Sequence, residues 1–522
     1  MAMVKISFGL KTIKEEISMS LTMKKVISLF LCAMILLPTL IACGQQSSSP
    51  SDTDNQSGAP GDTNNTVVTE PETKDLVQDA LDQVLLDVDW GGNDFGILYV
   101  NDVGGYKEEV EASPDSNDSS SSAVINDAVY ERNTLFEEYC HLNFVKIPTT
   151  SAMAGTDLKT EVMTGTGDFH LVSQTTSGTA DSALSGYLFN YLNLDIDYEK
   201  PWWDSGTLDF ALCGKVFFMD GPFNIVDDDV TYVMMFNKDL REEYKIADPY
   251  QTVKNGDWTL DNFNTIISSL SADNGDGVWD EKDIYGFVAP HSIGTSFFYG
   301  AGLQFVINDR TMDEPELALN ASKMEIALDV LAKARSIVHD NNSSYIAEGN
   351  EYDKAKEIFL DGRSLYYVEA ASYLRKLNGS MEAEYGVIPI PKYSKAQEKY
   401  STWRSAIGST LSIPNTVASM DVEMFGKVLE SYCLLSQKYV RPAYYDVMLT
   451  TRNVRDPESA EILDIIFENR IYDMGAYFEV LGFNTLFLKS VKEEDTFTSS
   501  YTSASKTFEK KVSRLLESVG RS

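Results

Sequence analysis

From Phe95 onward the chain alternates short apolar runs with amphipathic stretches, and this alternation constrains the fold more than any other feature of the sequence. Phe95-Gly-Ile-Leu-Tyr-Val100 reads as a strand. Residues 126–140 read as a helix, and His141-Leu-Asn-Phe-Val-Lys-Ile147 alternates like a second strand. Phe169-His-Leu-Val172 is a third, shorter one. Strand, helix, strand in this order predicts βαβ units, because parallel neighbours need a long crossover and a helix supplies it.

The pattern continues downstream. Residues 210–219 and 230–236 are predicted strands, with a domain change expected near Asn237. Thr259 is expected to cap a helix whose Phe263, Ile266, Ile267 and Leu270 share one face. A second helix is predicted over 322–339, with the stripe Ile326, Val330, Leu331, Ala334, Ile337 and Val338. Asp353 opens a short helix ending at Gly362. Residues 365–368 and 386–390 read as strands. Helices return after Ser419, with Val422, Phe425, Val428, Leu429 and Tyr432 on one face. The last helix carries Phe508, Val512, Leu515 and Leu516.

The N-terminus reads differently. Lys24 and Lys25 precede an apolar run from Val26 to Ile41 that closes on Leu40-Ile-Ala-Cys43. A basic region, an apolar region and a small residue before a cut are the marks of an export signal. The run is too short and too poorly flanked to be read as a spanning helix. Its last four residues resemble a lipoprotein signal, in which the Cys43 thiol takes diacylglycerol and becomes the new N-terminus. Residues 1–42 are therefore expected to be a signal peptide, with Met23 as an alternative start. Residues 43–90 are expected to be the lipidated cysteine and a flexible leash. Residues 44–65 are almost all Ser, Gln, Asn, Asp, Thr, Gly and Pro, which bury too little apolar surface to offset ordering entropy.

Charge narrows the partners. The chain carries −36, and residues 1–42 hold five lysines against two glutamates, so the remainder carries −39. That argues against nucleic acid and against docking by charge on anionic lipid. About 450 residues beyond the leash suffice for two lobes of ordinary size. Cys140, Cys213 and Cys433 form no disulfide framework and are expected as small buried groups. Four histidines without metal-like spacing argue against zinc. No nucleophile motif or phosphate loop is present.

Six stretches, in order, carry a resemblance. They are Lys200-Pro-Trp-Trp203, Phe236-Asn-Lys-Asp-Leu240, Asn255-Gly-Asp-Trp-Thr-Leu-Asp-Asn-Phe263, Asn274-Gly-Asp-Gly277 leading to Tyr285-Gly-Phe287, Phe359-Leu-Asp-Gly-Arg-Ser364, and Tyr385-Gly-Val-Ile-Pro-Ile-Pro-Lys392. Together they are similar to extracellular solute-binding proteins of family 1, the substrate-binding subunits of carbohydrate-type ABC importers with the maltose-binding-protein kind of fold. The resemblance covers 200–415; the N-terminal third matches in layout only. It implies an α/β fold of two lobes, the periplasmic-binding-protein type II fold, with a ligand cleft between them. Lobe 1 is expected over 92–232 plus 354–415 and lobe 2 over 233–353 plus 416–522. It also implies a monomer that closes on a hinge around a solute and partners a permease.

A sugar offers apolar faces for aromatic rings and a hydroxyl rim for carboxylates, amides and Arg. Trp202 and Trp203 are candidates on that ground, with core packing as the alternative. Trp403 and Arg404 are placed at the cleft by the resemblance, as are Glu369 and Tyr373. Ser173 and Gln174 close a strand where open α/β sheets present ligand contacts. Tyr299 is a weaker candidate beside Phe298. Asp229 precedes a crossover strand, although Asp227 and Asp228 suggest a solvated acidic turn.

The loop after Ala272 resembles a calcium loop. Asn274, Asp276, Asp280 and Asp283 fall at its third, fifth, ninth and twelfth positions. Ala272 stands at the first position and offers no side-chain oxygen, so an Asn-Gly turn is the alternative to a structural calcium. Three function classes stay open: a solute carrier for an importer, a glycan-binding or sensor-associated surface lipoprotein, and a glycan-active enzyme using two carboxylates.

Overall fold

The computed structural model describes residues 76–114, 121–308, 311–339, 342–377, 381–449, 457–478, 482–492 and 496–519, all within one unit, 73–522. The expected signal peptide, Cys43 and the leash to residue 75 lie outside the described residues.

Asp94–Val100 pairs in parallel with Asn143–Thr149, Phe95 beside Phe144 and Leu98 beside Ile147, and the helix Ser121–Cys140 makes the crossover. Leu171–Thr175 adds in parallel on the other side of Asp94–Val100. Ser409–Ser412 returns antiparallel to it, and Phe218–Met219 closes the edge. The second sheet runs Tyr385–Ile388, Tyr232–Asn237, Ser364–Ala370, Tyr285–Pro290, Ser344–Ala347. Helices such as Leu260–Ser268, capped by the Thr259 hydroxyl accepting from Asn262 N–H, cover its faces with Phe263 and Ile267 buried.

Each lobe has an aromatic core. In the first, Phe136 meets Phe95 edge-on at 5.7 Å and Phe144 at 5.2 Å, with Tyr432 at 5.1 Å. In the second, Phe263 packs between Trp258 at 5.6 Å and Phe287 at 5.0 Å. Such edge-to-face pairs add to the burial of large rings. Cys140 and Cys433 are buried thiols of the first core.

Several boundaries differ from the sequence reading. Residues 354–415 do not return together to lobe 1: Ser364–Ala370 pairs with Tyr232–Asn237, and so does Tyr385–Ile388. The return is made only at 403–409. Residues 416–522 do not all finish in lobe 2 either. Phe425, Val428, Leu429 and Tyr432 of the helix Val422–Leu435 belong to the first lobe's core. Period alone identifies a strand or helix face, but not which sheet that face covers.

The leash ends sooner than expected. Leu76–Leu85 is helical, with Leu81 buried and Val77, Ala80 and Val84 against the first lobe's core. Residues 210–219 are not one strand: Ser205–Phe210 is a 3₁₀ turn, and only Phe218–Met219 is extended. Cys213 and Gly214, at φ 52° and 72°, turn the chain between them.

The acidic loop folds onto itself. Asp283 is fully buried, and its carboxylate accepts from Asn274 N–H at 2.8 Å and Asp280 N–H at 2.7 Å. Asp276 accepts from Val278 N–H, and Asp280 from Lys282 N–H and the Lys282 ammonium. Among the described residues no three His, Cys, Asp or Glu side chains converge to hold a metal ion. The side-chain oxygens of Asn274, Asp276, Asp280 and Asp283 thus accept from backbone N–H groups of the loop itself.

Candidate functional site

The lobes exchange chain at two adjacent crossings. Thr231 bridges Arg404 in antiparallel fashion, and Ser405 N–H donates to Val230 C=O at 3.3 Å. Ala371 N–H donates to Thr231 C=O at 2.8 Å, tying the end of Ser364–Ala370 to the same hinge.

A cavity of about 550 Å³ opens beside this hinge. Lobe 1 contributes Gly104, Gly105 and Glu108, which follow Asp94–Val100, together with Ser405 and Ile407. Lobe 2 contributes Glu369, Tyr373 and Arg375 at the end of Ser364–Ala370, and Tyr352. Asp229, Val230 and Tyr232 come from the crossing itself. Both walls are thus built where strands end, the usual position of ligand crevices in open α/β sheets. Gly105 sits at φ 89°, and a Cβ there would stand 2.9 Å from the Val226 side chain. Only glycine lets this turn lie so close to the hinge.

The polar groups of the cleft are pre-ordered. Tyr352 O–H donates to Glu369 Oε2 at 2.7 Å, and Ala370 N–H donates to Glu369 Oε1 at 2.9 Å. Burial, with Glu369 next, holds both tyrosine hydroxyls protonated; Tyr373 is pushed up to about 12. Arg375 donates to Asp229 and pairs with Glu108 of the other lobe at 3.3 Å. Burial raises the Asp229 carboxyl above its ordinary value while Arg375 pulls it back. The arrangement offers carboxylates and a guanidinium for hydroxyls and phenol rings for an apolar face.

Asp229, Glu369 and Tyr373 are the expected residues that the structure brings together here. Ser173 and Gln174 are not: the strand runs on to Thr175, so both are interior strand residues, buried and paired with Leu411 and Thr410. Trp403 stands one layer behind the cleft, stacked between Tyr232 at 5.2 Å and Tyr299 at 5.8 Å. Tyr299 itself donates to Asp473 at 3.0 Å in the core. Arg404 is wholly buried against Asp220 at 2.8 Å. Trp202 and Trp203 line a different cavity.

The acidic turn expected at 227–229 is not solvated. Asp227, Asp228 and Asp229 are 1%, 0% and 5% exposed. Arg470 pairs with Asp227 at 2.8 Å and Asp228 at 2.7 Å, and Arg441 pairs with Asp228 at 2.5 Å. Glu109 Oε1 accepts from Ile225 N–H, Val226 N–H and Ser409 O–H, each at 2.7 Å. Burial pushes Glu109 up to about 8, and Asp227 to about 7 against the pull of Arg470.

Sequence reasoning missed Gly104, Gly105, Glu108, Tyr232, Tyr352 and Arg375. The double glycine after a predicted strand was a usable signal for the first two. Nothing local marks the others.

These lobes, crossings and cleft define the two-lobe α/β fold of sugar-type extracellular solute-binding proteins. No protein-family model matches the chain, and no curated protein matches it. Solved structures do. A cyclic α-maltosyl-1,6-maltose binding protein from Arthrobacter globiformis matches with a TM-score of 0.54 at 13% identity, over 82% of this chain and 100% of that one. A sugar transporter from Rhizobium etli in an open conformation matches at 0.53 and 11%, over 80% and 99%. A family 1 extracellular solute-binding protein from Bifidobacterium longum subsp. infantis matches at 0.50 and 14%, over 80% and 100%. At these identities the likeness is one of fold.

Proposed function

We propose that this chain captures a carbohydrate-type solute in the cleft between its lobes and delivers it to an ABC importer in the same membrane. The observation that carries the reading is the cleft itself. Ends of both sheets meet there, and carboxylates, tyrosines and one guanidinium face a cavity of about 550 Å³. The sugar-binding proteins that share the fold support the carbohydrate assignment. In this reading the cleft closes as a hinge about 230–232 and 403–405. Glu369 and Tyr373 contact the solute, and lipid on Cys43 keeps the carrier beside its permease. The carrier works as a monomer, without catalysis.

A thermal-shift screen of mono- and oligosaccharides tests the capture step. A sugar that raises Tm should lose at least about tenfold in affinity with Glu369→Gln, the scale of one hydrogen bond to a charged group. No stabilisation by any sugar would move the assignment to other solutes, and sugar turnover would replace binding with catalysis. Cys43→Ala separates tether from site. It should release the protein from membranes and leave the solute Kd unchanged.

A further inference from the structure

The cavity between the lobes is unevenly charged. Glu108, Asp229 and Glu369 line it against a single base, Arg375. That base is already committed. It donates to Asp229 and pairs with Glu108 at 3.3 Å, so one guanidinium is shared between two carboxylates. Glu108 uses only Oε2 in this pair; its Oε1 accepts from no described residue, and its side chain is 40% exposed.

The nearest lysines do not correct the balance. Lys107, next in sequence, pairs with Glu111 at 3.2 Å. Lys356, whose ammonium lies 6.0 Å from the Tyr373 ring, is held by Asp353 at 2.7 Å. The other polar side chains of the lining are tyrosine and serine hydroxyls. They can meet a solute hydroxyl but cannot balance a charge. Lobes that close on a solute take the surplus carboxylates out of water, where an ion without a counter-charge is costly. Low-dielectric walls also concentrate the field of like charges in a cleft. A neutral solute leaves that surplus in place, an acid adds to it, and an ammonium offsets it.

We infer that the solute of this cleft carries an amine: a basic amino sugar, or a hydroxylated ring amine like it, is held in preference to its neutral and acidic counterparts. Glu108 receives the ammonium on Oε1, while Arg375 stays between Glu108 and Asp229. The inference rests on the proposed capture of a solute in the cleft and narrows it to one charge class.

Two measurements test it. The first needs no solute. Ile407 lines the cavity and is 60% exposed; Met163 is 74% exposed and does not line it. Ile407→Cys and Met163→Cys proteins are labelled with a cationic and an anionic methanethiosulfonate, and background rates without the new thiol are subtracted. The cationic-to-anionic rate ratio should be at least about tenfold higher at position 407 than at 163 in low salt. It should fall with Glu108→Gln, and also at about 1 M salt, where the screening length is about 3 Å. Equal ratios at the two positions would overturn the inference.

The second is isothermal titration of the mature chain with the β-1,4 disaccharides of glucosamine, glucose and glucuronate. At about pH 6 such amines are protonated. The glucosamine disaccharide should bind at least about tenfold tighter than the glucose one, the gap between a charged and a neutral hydrogen bond, and the glucuronate one weakest. Glu108→Gln should shrink that preference. A glucose or glucuronate disaccharide that binds as tightly as the amine, and is lost in Glu369→Gln protein, would overturn this inference and leave the cleft as the site. No binding by any of the three would overturn it as well. Binding indifferent to both Glu369→Gln and Glu108→Gln would overturn the cleft assignment beneath it.

Discussion

Glu109→Gln is the substitution whose outcome the hinge geometry determines most closely. Glu109 is buried, and one of its carboxyl oxygens takes three donors: two backbone N–H groups at the start of the hinge turn and the Ser409 hydroxyl. Its other oxygen has no partner among the described residues. Burial pushes the group up to about 8, so the folded protein at neutral pH holds it as the neutral acid. A raised carboxyl contributes stability that is complete below its unfolded value, near 4.5, and is lost as pH rises through 8. The gap corresponds to roughly 5 kcal/mol. Spread over the 73–522 unit at about 2 cal/mol/K per residue, it is about 5 °C in Tm. Glutamine keeps the accepting oxygen and cannot ionise. The variant should melt within about 1 °C of wild type at pH 5 and about 5 °C above it at pH 9. Thermal melts across this range check it. Parallel profiles for the two proteins, or a variant that melts below wild type at pH 9, would refute the reasoning.

Other substitutions probe the same machinery. Arg470→Met strands Asp227 in the interior, while Asp228 keeps Arg441, and should cost about 3–5 kcal/mol in urea unfolding, with partial recovery when Asp227 becomes asparagine. Glu108→Gln removes the contact between Arg375 and the other lobe; stability should change by under about 1 kcal/mol, while the radius of gyration of the solute-free protein rises in small-angle scattering. An unchanged radius would show that the pair does not hold the lobes together. Trp403→Ala removes the ring between Tyr232 and Tyr299 and should cost about 3–5 kcal/mol, and it should also weaken solute binding because Tyr232 loses its backing. A loss of stability with affinity intact would separate Tyr232 from the site.

The local elements were legible because they rest on short-range causes. Thr259 caps its helix through a side chain three residues from its partner. The helix Ala321–His339 follows the stripe read from Ile326 to Val338. Lobe membership was not legible, since it depends on pairings such as Tyr367 with Met235, more than a hundred residues apart. The cleft was legible only in part. Glu369, Tyr373 and Asp229 follow or precede strands, where position alone suggests a crevice. Ser173 and Gln174 failed on a strand boundary misplaced by three residues, enough to turn cleft contacts into interior ladder positions. Trp403 and Arg404 failed for another reason: residue type suits a sugar equally well at the surface and one layer behind it.

The hinge acids show most clearly what a one-dimensional reading leaves out. Val226-Asp-Asp-Asp229 has the composition of a solvated turn, yet each aspartate meets a guanidinium from elsewhere: Arg470 for Asp227, Arg470 and Arg441 for Asp228, Arg375 for Asp229. Those arginines lie between 146 and 243 residues downstream, on three separate segments. Buried pairs of this kind contribute little net stability, because desolvation offsets their attraction, but they penalise any arrangement that leaves one partner alone. The crossing is thereby held in one register by partners in both lobes. Arg375 then extends the same chain of charges across the cleft mouth to Glu108. In the proposed capture, a solute that draws the lobes together would act directly on that last pair, the most exposed of the series, while the buried pairs behind it keep the hinge in place. Cleft and hinge are in this way joined by one charge network, so under the proposed function a change in Arg375 should alter both affinity and closure, whereas a change in Arg470 should reach affinity only through the fold.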